Sequence, residues 1–171
     1  MLKVWGLVCL FLGCMVCGLA SSENLKRRLE LLEAFRRIMI LLSGEIRCVH
    51  STLPEALERI KEKAVPPFDC FLARICEDMK GENRKPLGEL FERHLGILKE
   101  SSLNEEDLLL IHELGKQLGY LDIAMQLQTL EYYEEMLDTS VKKAAGEYGK
   151  KARMYRYLGV LAGLFLVVLL S

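Results

Sequence analysis

This chain has almost no strand vocabulary. Its 171 residues contain no Asn-Gly or Asp-Gly pair and no run that alternates apolar with polar side chains, the usual marks of hairpins and half-buried strands. It also lacks a glycine-rich phosphate loop with its lysine, so a nucleotide-hydrolysing fold of that kind is excluded. Zinc chemistry has little to work with. The histidines are His50, His94 and His112, and neither Cys48-x-His50 nor Cys70-x5-Cys76 gives the paired close spacings of a zinc site. Charge is missing from two long stretches, Val4–Ala20 and Tyr157–Leu170. Between them lie all 24 acidic residues and all of the 23 basic ones but Lys3.

Those two stretches read as membrane spans. A helix needs ~20 apolar residues to cross ~30 Å of hydrocarbon. Val4–Ala20 supplies 17 residues, or ~26 Å. Tyr157–Leu170 supplies 14, or ~21 Å, extendable through Met154 and Tyr155 if Arg156 snorkels to the headgroups. Lys and Arg near the spans set orientation. Lys26, Arg27, Arg28, Arg36 and Arg37 follow the first span; Lys142, Lys143, Lys150, Lys151, Arg153 and Arg156 precede the second. Both therefore place the middle in the cytoplasm and both termini on the opposite side. A cleaved signal peptide is the competing reading, with small residues at Gly18 and Ala20. Cleavage would export Cys48, Cys70 and Cys76, an odd number that cannot all pair internally, whereas reduced cytosolic thiols need no partner. The expected organisation is a transmembrane segment over 1–22, a cytoplasmic helical bundle over 23–153 and a second transmembrane segment over 154–171.

Helical period dominates the middle. From Asn24, Leu25, Leu29, Leu32, Phe35, Met39, Leu42, Ile46 and Val49 recur at steps of three and four, and Leu31, Ile38 and Leu41 widen the stripe. Ser51 or Thr52 caps a second helix, with Pro54 and Glu55 in its first turn. Pro66-Pro67 ends it, a third helix runs from Phe68 to Gly81, and Pro86 starts a fourth. Asn104 caps a fifth, where Glu105, Glu106 and Asp107 favour the positive dipole end and Gly119 is a candidate left-handed terminator. Asp122 caps the last, and with no proline after it that helix is free to run on into the second span. Six helices with short connections predict an all-α antiparallel bundle flanked by the two spans.

Little in this bundle points to catalysis, so neither an enzyme nor a cofactor is expected. His94 and His112 read as residues at the edge of the core, and Cys9, Cys14 and Cys17 as small packing residues within the first span. Nucleic acid is not an expected partner, because anionic lipid accounts for the basic clusters beside the spans. Within the second span Gly159 and Gly163, with Ala162 beside them, form a small-xxx-small pattern. It packs the two spans together or onto a neighbour such as a second copy of the chain. No ionisable group lies near mid-membrane, where an ion pathway usually needs one. Residues Glu100–Asp138 hold ten acidic groups against Lys116 alone. This is either a solvated face or a docking face that steers a basic partner, with Glu105, Glu106, Asp107, Glu131, Glu134 and Glu135 as its candidates.

The chain resembles the stage III sporulation protein AB family of endospore-forming bacteria over its whole length. The most specific stretch is Met154-Tyr155-Arg156-Tyr157-Leu158-Gly159-Val160-Leu161-Ala162-Gly163-Leu164. Glu45-Ile46, His50-Ser51-Thr52-Leu53-Pro54-Glu55-Ala56 and Leu114-Gly115-Lys116-Gln117-Leu118-Gly119 add to it. That family is similar in turn to the inner-membrane platform proteins of type II secretion and type IV pili. Leu41-Leu42-Ser43-Gly44, Leu53-Pro54-Glu55-Ala56-Leu57 and Gly115 with Gly119 and Leu121 look like their patterns, with Glu45–Thr52 as an extra stretch. The resemblance implies a non-catalytic platform in the mother-cell membrane around the engulfed forespore. It would couple a cytosolic secretion-type ATPase to the ring-forming and membrane subunits of a sporulation channel. A pore or transport component acting through its own spans is the alternative.

Overall fold

A computed structural model describes the backbone of residues 2–81, 85–119 and 122–170 and the side chains of residues 23–81, 85–119, 122–151, 153, 154 and 157. Among the described residues the fold is all-α, with six helices: α1 Leu2–Cys48, α2 Leu53–Lys61, α3 Phe68–Lys80, α4 Leu87–Lys99, α5 Glu105–Leu118 and α6 Ile123–Leu170.

The boundaries follow local chemistry. The Thr52 backbone N–H donates to Glu55 Oε2 at 3.0 Å, which holds the first turn of α2 and sets the Glu55 carboxyl below its ordinary range. Asn104 Oδ1 accepts from the Asp107 N–H at 2.8 Å while Asp107 Oδ2 accepts from the Asn104 N–H at 3.1 Å, a reciprocal capping box. Asp122 Oδ1 accepts from the Met125 N–H at 2.8 Å and starts α6. The 47-residue α1 ends where His50 takes a φ of 56°, a left-handed position more often given to glycine.

Each helix packs on its neighbour in the chain, and α1 closes the ring against α6. Ion pairs fix the α1–α6 register: Arg28 with Glu147, Arg36 with Asp138, and Arg47 with Glu131. Positions rise along α1 as they fall along α6, so the two long helices are antiparallel. The α2–α3 and α4–α5 loops gather around Asn24, Arg27 and Leu31 of α1; this is the near end, the end from which the apolar termini leave. The other three connections, around His50, around Lys85 and Pro86, and around Gly119 and Asp122, meet at the far end.

The core is continuous. Leu32, Phe35, Met39 and Ile46 of α1 are buried with Leu57 and Ile60, Phe68, Phe71 and Ile75, Leu90, Leu98, Ile111, Leu114, Leu130 and Leu137. Phe35 tilts against Phe68 at 5.3 Å between ring centroids, and Phe71 meets Phe91 edge-on at 5.1 Å, both within the favoured aromatic range. A Cβ on Gly115 would stand 2.3 Å from the Phe91 ring, and one on Gly88 would stand 2.9 Å from the Lys116 backbone, so glycine sets how closely α4 and α5 cross. Gly119 differs from expectation. Its φ is −72°, so it terminates α5 without a left-handed turn. Its small size instead makes room for Leu87, whose Cβ would lie 3.2 Å from a Gly119 side chain.

Among the described residues no helix is long and apolar enough to cross a membrane. The side chains of Val4–Ala20 and of 158–170, where the two spans were expected, lie outside the described residues.

Candidate functional site

Two surfaces and one buried cluster concentrate the polar chemistry of the bundle. The cluster ties α1, α5 and α6 together at the near end. Arg28 is 7% exposed and Asp107 3%. Arg28 Nε donates to Asp107 Oδ2 at 2.7 Å and a second guanidinium nitrogen donates to Oδ1 at 3.0 Å, a two-pronged pairing that only the planar Arg fork can make. Glu147 of α6 approaches the same guanidinium at 3.5 Å. The Asp107 hydrogen bond, opposed by burial and helped by its charge, raises the Arg28 pKa above its ordinary value.

This geometry reassigns Asp107 among the six acidic docking candidates. Its carboxylate faces inward, bonded to Arg28 and to the Asn104 N–H, and is closed to an outside partner. The other five divide into two groups. Glu105 and Glu106 are exposed at the near end, with Glu106 3.2 Å from Lys143. Glu131 and Glu135 are exposed and Glu134 half-buried on the far half of α6. Glu131 lies 12 residues before Lys143, ~18 Å along the helix. Cations stand among these acids: from α1, Arg47 on Glu131 and Arg36 on Asp138, and from α6 itself, Lys142 on Asp138. The stretch is acidic in sequence and mixed in space. Gly159, Ala162 and Gly163, the candidates for packing between spans, lie outside the described residues.

The histidines are scattered. His50 is exposed at the far end. His94 Nε2 lies 3.0 Å from Asp78 Oδ2, and that contact, with Arg93 behind it, lowers the Asp78 pKa. His112 is half-buried and its Nδ1 makes no hydrogen bond. Cys48 and Cys70 are exposed; Cys76 is buried, and burial pushes its thiol up to about 11. Among the described residues no group of His, Cys, Asp and Glu is placed to hold a metal ion.

The far-end surface is a groove of about 770 Å³ lined by His50, Leu53, Pro54, Leu87, Leu118 and Ile123 among others, with Met125 exposed beside Ile123. Sequence reasoning missed it, because its walls come from the starts of α2, α4 and α6 and the end of α5. The available signal was that an up-and-down order sends every second loop to one end. The second surface, about 710 Å³, lies between α1 and the two near-end loops.

A family model described as stage III sporulation protein AB matches residues 3–171. The chain belongs to the stage III sporulation protein AB family. The stage III sporulation protein AB of Bacillus subtilis (strain 168) is 24% identical over 172 residues, covering 99% of this chain and 99% of that protein. No solved structure matches. Membership in the stage III sporulation protein AB family supports a role in sporulation. It also gives a common frame to the elements built above, because the match takes in both apolar ends and all six helices.

Proposed function

We propose that this protein is a non-catalytic membrane platform that couples a cytosolic secretion-type ATPase to a channel complex between mother cell and forespore. The observation that carries the reading is the antiparallel α1–α6 register. It sends both apolar runs out of the same end of the bundle. Ala20 lies 8 residues before Arg28, and Tyr157 lies 10 residues after Glu147, ~12 and ~15 Å along straight helices. Two short spans leaving side by side form an anchoring hairpin, and Gly159, Ala162 and Gly163 supply the small residues that let such helices approach. The mother-cell membrane around the forespore is its place, with the bundle in the mother-cell cytoplasm and both termini across the bilayer. The far end, the part most distant from the membrane, is where a cytosolic ATPase reaches it.

Exposed Cys48 and Cys70 report the topology. A membrane-impermeant maleimide leaves both unlabelled in intact mother cells and labels both after permeabilisation. Labelling in intact cells overturns the inward bundle. The coupling is tested by co-purifying the full chain in detergent with the ATPase of the same complex. Association is expected at low ionic strength, where charge steering is strongest; its absence there removes the platform reading.

A further inference from the structure

The cations of this bundle are unevenly matched. Most exposed Lys and Arg side chains on its flanks have an acidic partner: Lys26 with Glu30, Arg27 with Glu23, Arg59 with Glu45, Lys80 with Glu58, Arg93 with Asp78 and Lys142 with Asp138. Among the described residues, the Lys and Arg without an ion pair are Arg37, Lys63, Lys99, Lys150, Lys151 and Arg153. Arg37 lies on α1 about midway between Arg28 and Arg47. The others belong to the near end: Lys63 to the α2–α3 loop, Lys99 to the end of α4, and Lys150, Lys151 and Arg153 to the neck of α6 beyond Glu147.

The structure therefore divides the basic residues that flank the apolar runs. Lys26, Arg27, Arg28, Arg36, Lys142 and Lys143 each have an acidic partner within the protein. Lys150, Lys151 and Arg153 are exposed and have no acidic partner among the described residues. Glu62 and Glu100 stand beside Lys63 and Lys99 in the chain and hold the loops near neutral, so positive charge is concentrated on the neck. Apolar side chains are exposed at the same end: Val65 at the loop tip is 51% exposed, Met154 49% and Tyr157 65%. Unpaired cations with exposed apolar and aromatic side chains, directly before an apolar run, match the chemistry of a lipid headgroup layer.

We infer that the near end is an anionic-phospholipid surface. Headgroup phosphates bind Lys150, Lys151 and Arg153 of the α6 neck, and the loops carrying Lys63, Val65 and Lys99 face the same leaflet. The inference builds on the anchored reading above and goes past it. Anchoring needs only apolar burial, whereas this surface selects the lipid by charge and seats the bundle against the bilayer.

The test uses the full chain reconstituted in vesicles of phosphatidylcholine with and without phosphatidylglycerol. Spin-labelled forms of the two lipids report which one the protein immobilises. A several-fold preference for phosphatidylglycerol is expected at low salt, falling toward parity at ~1 M salt, where the screening length is ~3 Å. Replacing the neck cations together (Lys150→Gln, Lys151→Gln, Arg153→Gln) is expected to abolish the preference, and Arg37→Gln to leave it intact. Hydrogen exchange in 61–67 and 99–104 is expected to slow when phosphatidylglycerol is present. Equal immobilisation of both lipids by the wild-type chain, or a preference that survives the triple substitution, overturns the surface while leaving the anchor standing. A chain that floats with neither kind of vesicle overturns the anchor and the surface together.

Discussion

Asp107 accepts from Arg28 twice and from the Asn104 N–H once, with both oxygens in use and 3% of its surface exposed. Removing one partner of such a buried pair leaves the other charge uncompensated. Asp107→Ala is therefore expected to cost about 3 kcal/mol, the low end for a broken buried pair because Glu147 still faces Arg28. Denaturant unfolding followed by helical circular dichroism measures this. The double change Arg28→Met with Asp107→Leu should recover most of the loss, since an apolar pair has no charge to strand; a double variant as weak as the single one would refute that account. Glu58 shows the half-buried counterpart. Hydrogen bonds from Lys61 and then Lys80 hold its carboxyl down to about 2 from an ordinary 4.5. The unfolded chain takes up this proton first, so what these pairs contribute is complete above pH 4.5 and is lost as pH falls toward 2. Wild type and Glu58→Gln should thus converge in stability over that range when unfolding is followed at stepped pH. A gap that stays constant would mean that the pairs contribute nothing. The sequence placed Asp107 correctly in the first turn of a helix, and nothing there told of Arg28, 79 positions earlier.

At the scale of elements, the sequence was legible wherever a local cause decides the outcome. Thr52, Pro86, Asn104 and Asp122 each stand at the start of the helix they were expected to begin, because a cap acts within one turn. The span of α6 to Leu170 follows from the lack of any proline after Asp122. The run of α1 back to Leu2 joins the expected first segment, 1–22, to the helix read from Asn24, because the backbone stays helical where the hydrophobic pattern changes from uniform to amphipathic. Gly119 was misjudged because its reason lies in another helix. Distance in the chain hides such contacts, and glycines in one protein can therefore respond in opposite ways. Gly115→Ala forces a methyl group into the Phe91 ring and is expected to destabilise by about 1–3 kcal/mol, outweighing the ~1 kcal/mol gain in helix propensity. Gly96 lies inside α4 with open space where a Cβ would go, so Gly96→Ala keeps that gain and should stabilise by roughly 0.5–1 kcal/mol. Thermal unfolding of the two variants, read as shifts of opposite sign, checks the α4–α5 crossing directly.

For the whole molecule, an up-and-down ring gives the two ends of the bundle different tasks. The near end joins a buried ionic cluster to the neck of the apolar runs, and the far end collects three connections around an open groove. The acidic candidates have to be judged on this axis. Glu105 and Glu106 sit at the near end, where the bilayer proposed above would crowd a bulky partner. Glu131, Glu134 and Glu135 occupy the far half of α6, within reach of a cytosolic ATPase. A set that looked continuous along the chain therefore yields two separable expectations. Reversing Glu131, Glu134 and Glu135 to Lys should weaken association with the ATPase by tenfold or more and flatten its salt dependence, because the long-range attraction that salt screens is gone. Reversing Glu105 and Glu106 should leave the affinity within about twofold, a change of ~0.4 kcal/mol. Binding isotherms of the full chain in detergent at two ionic strengths separate these outcomes. If the near-end pair carries the loss instead, the partner approaches along the membrane, and the far end is not the docking face.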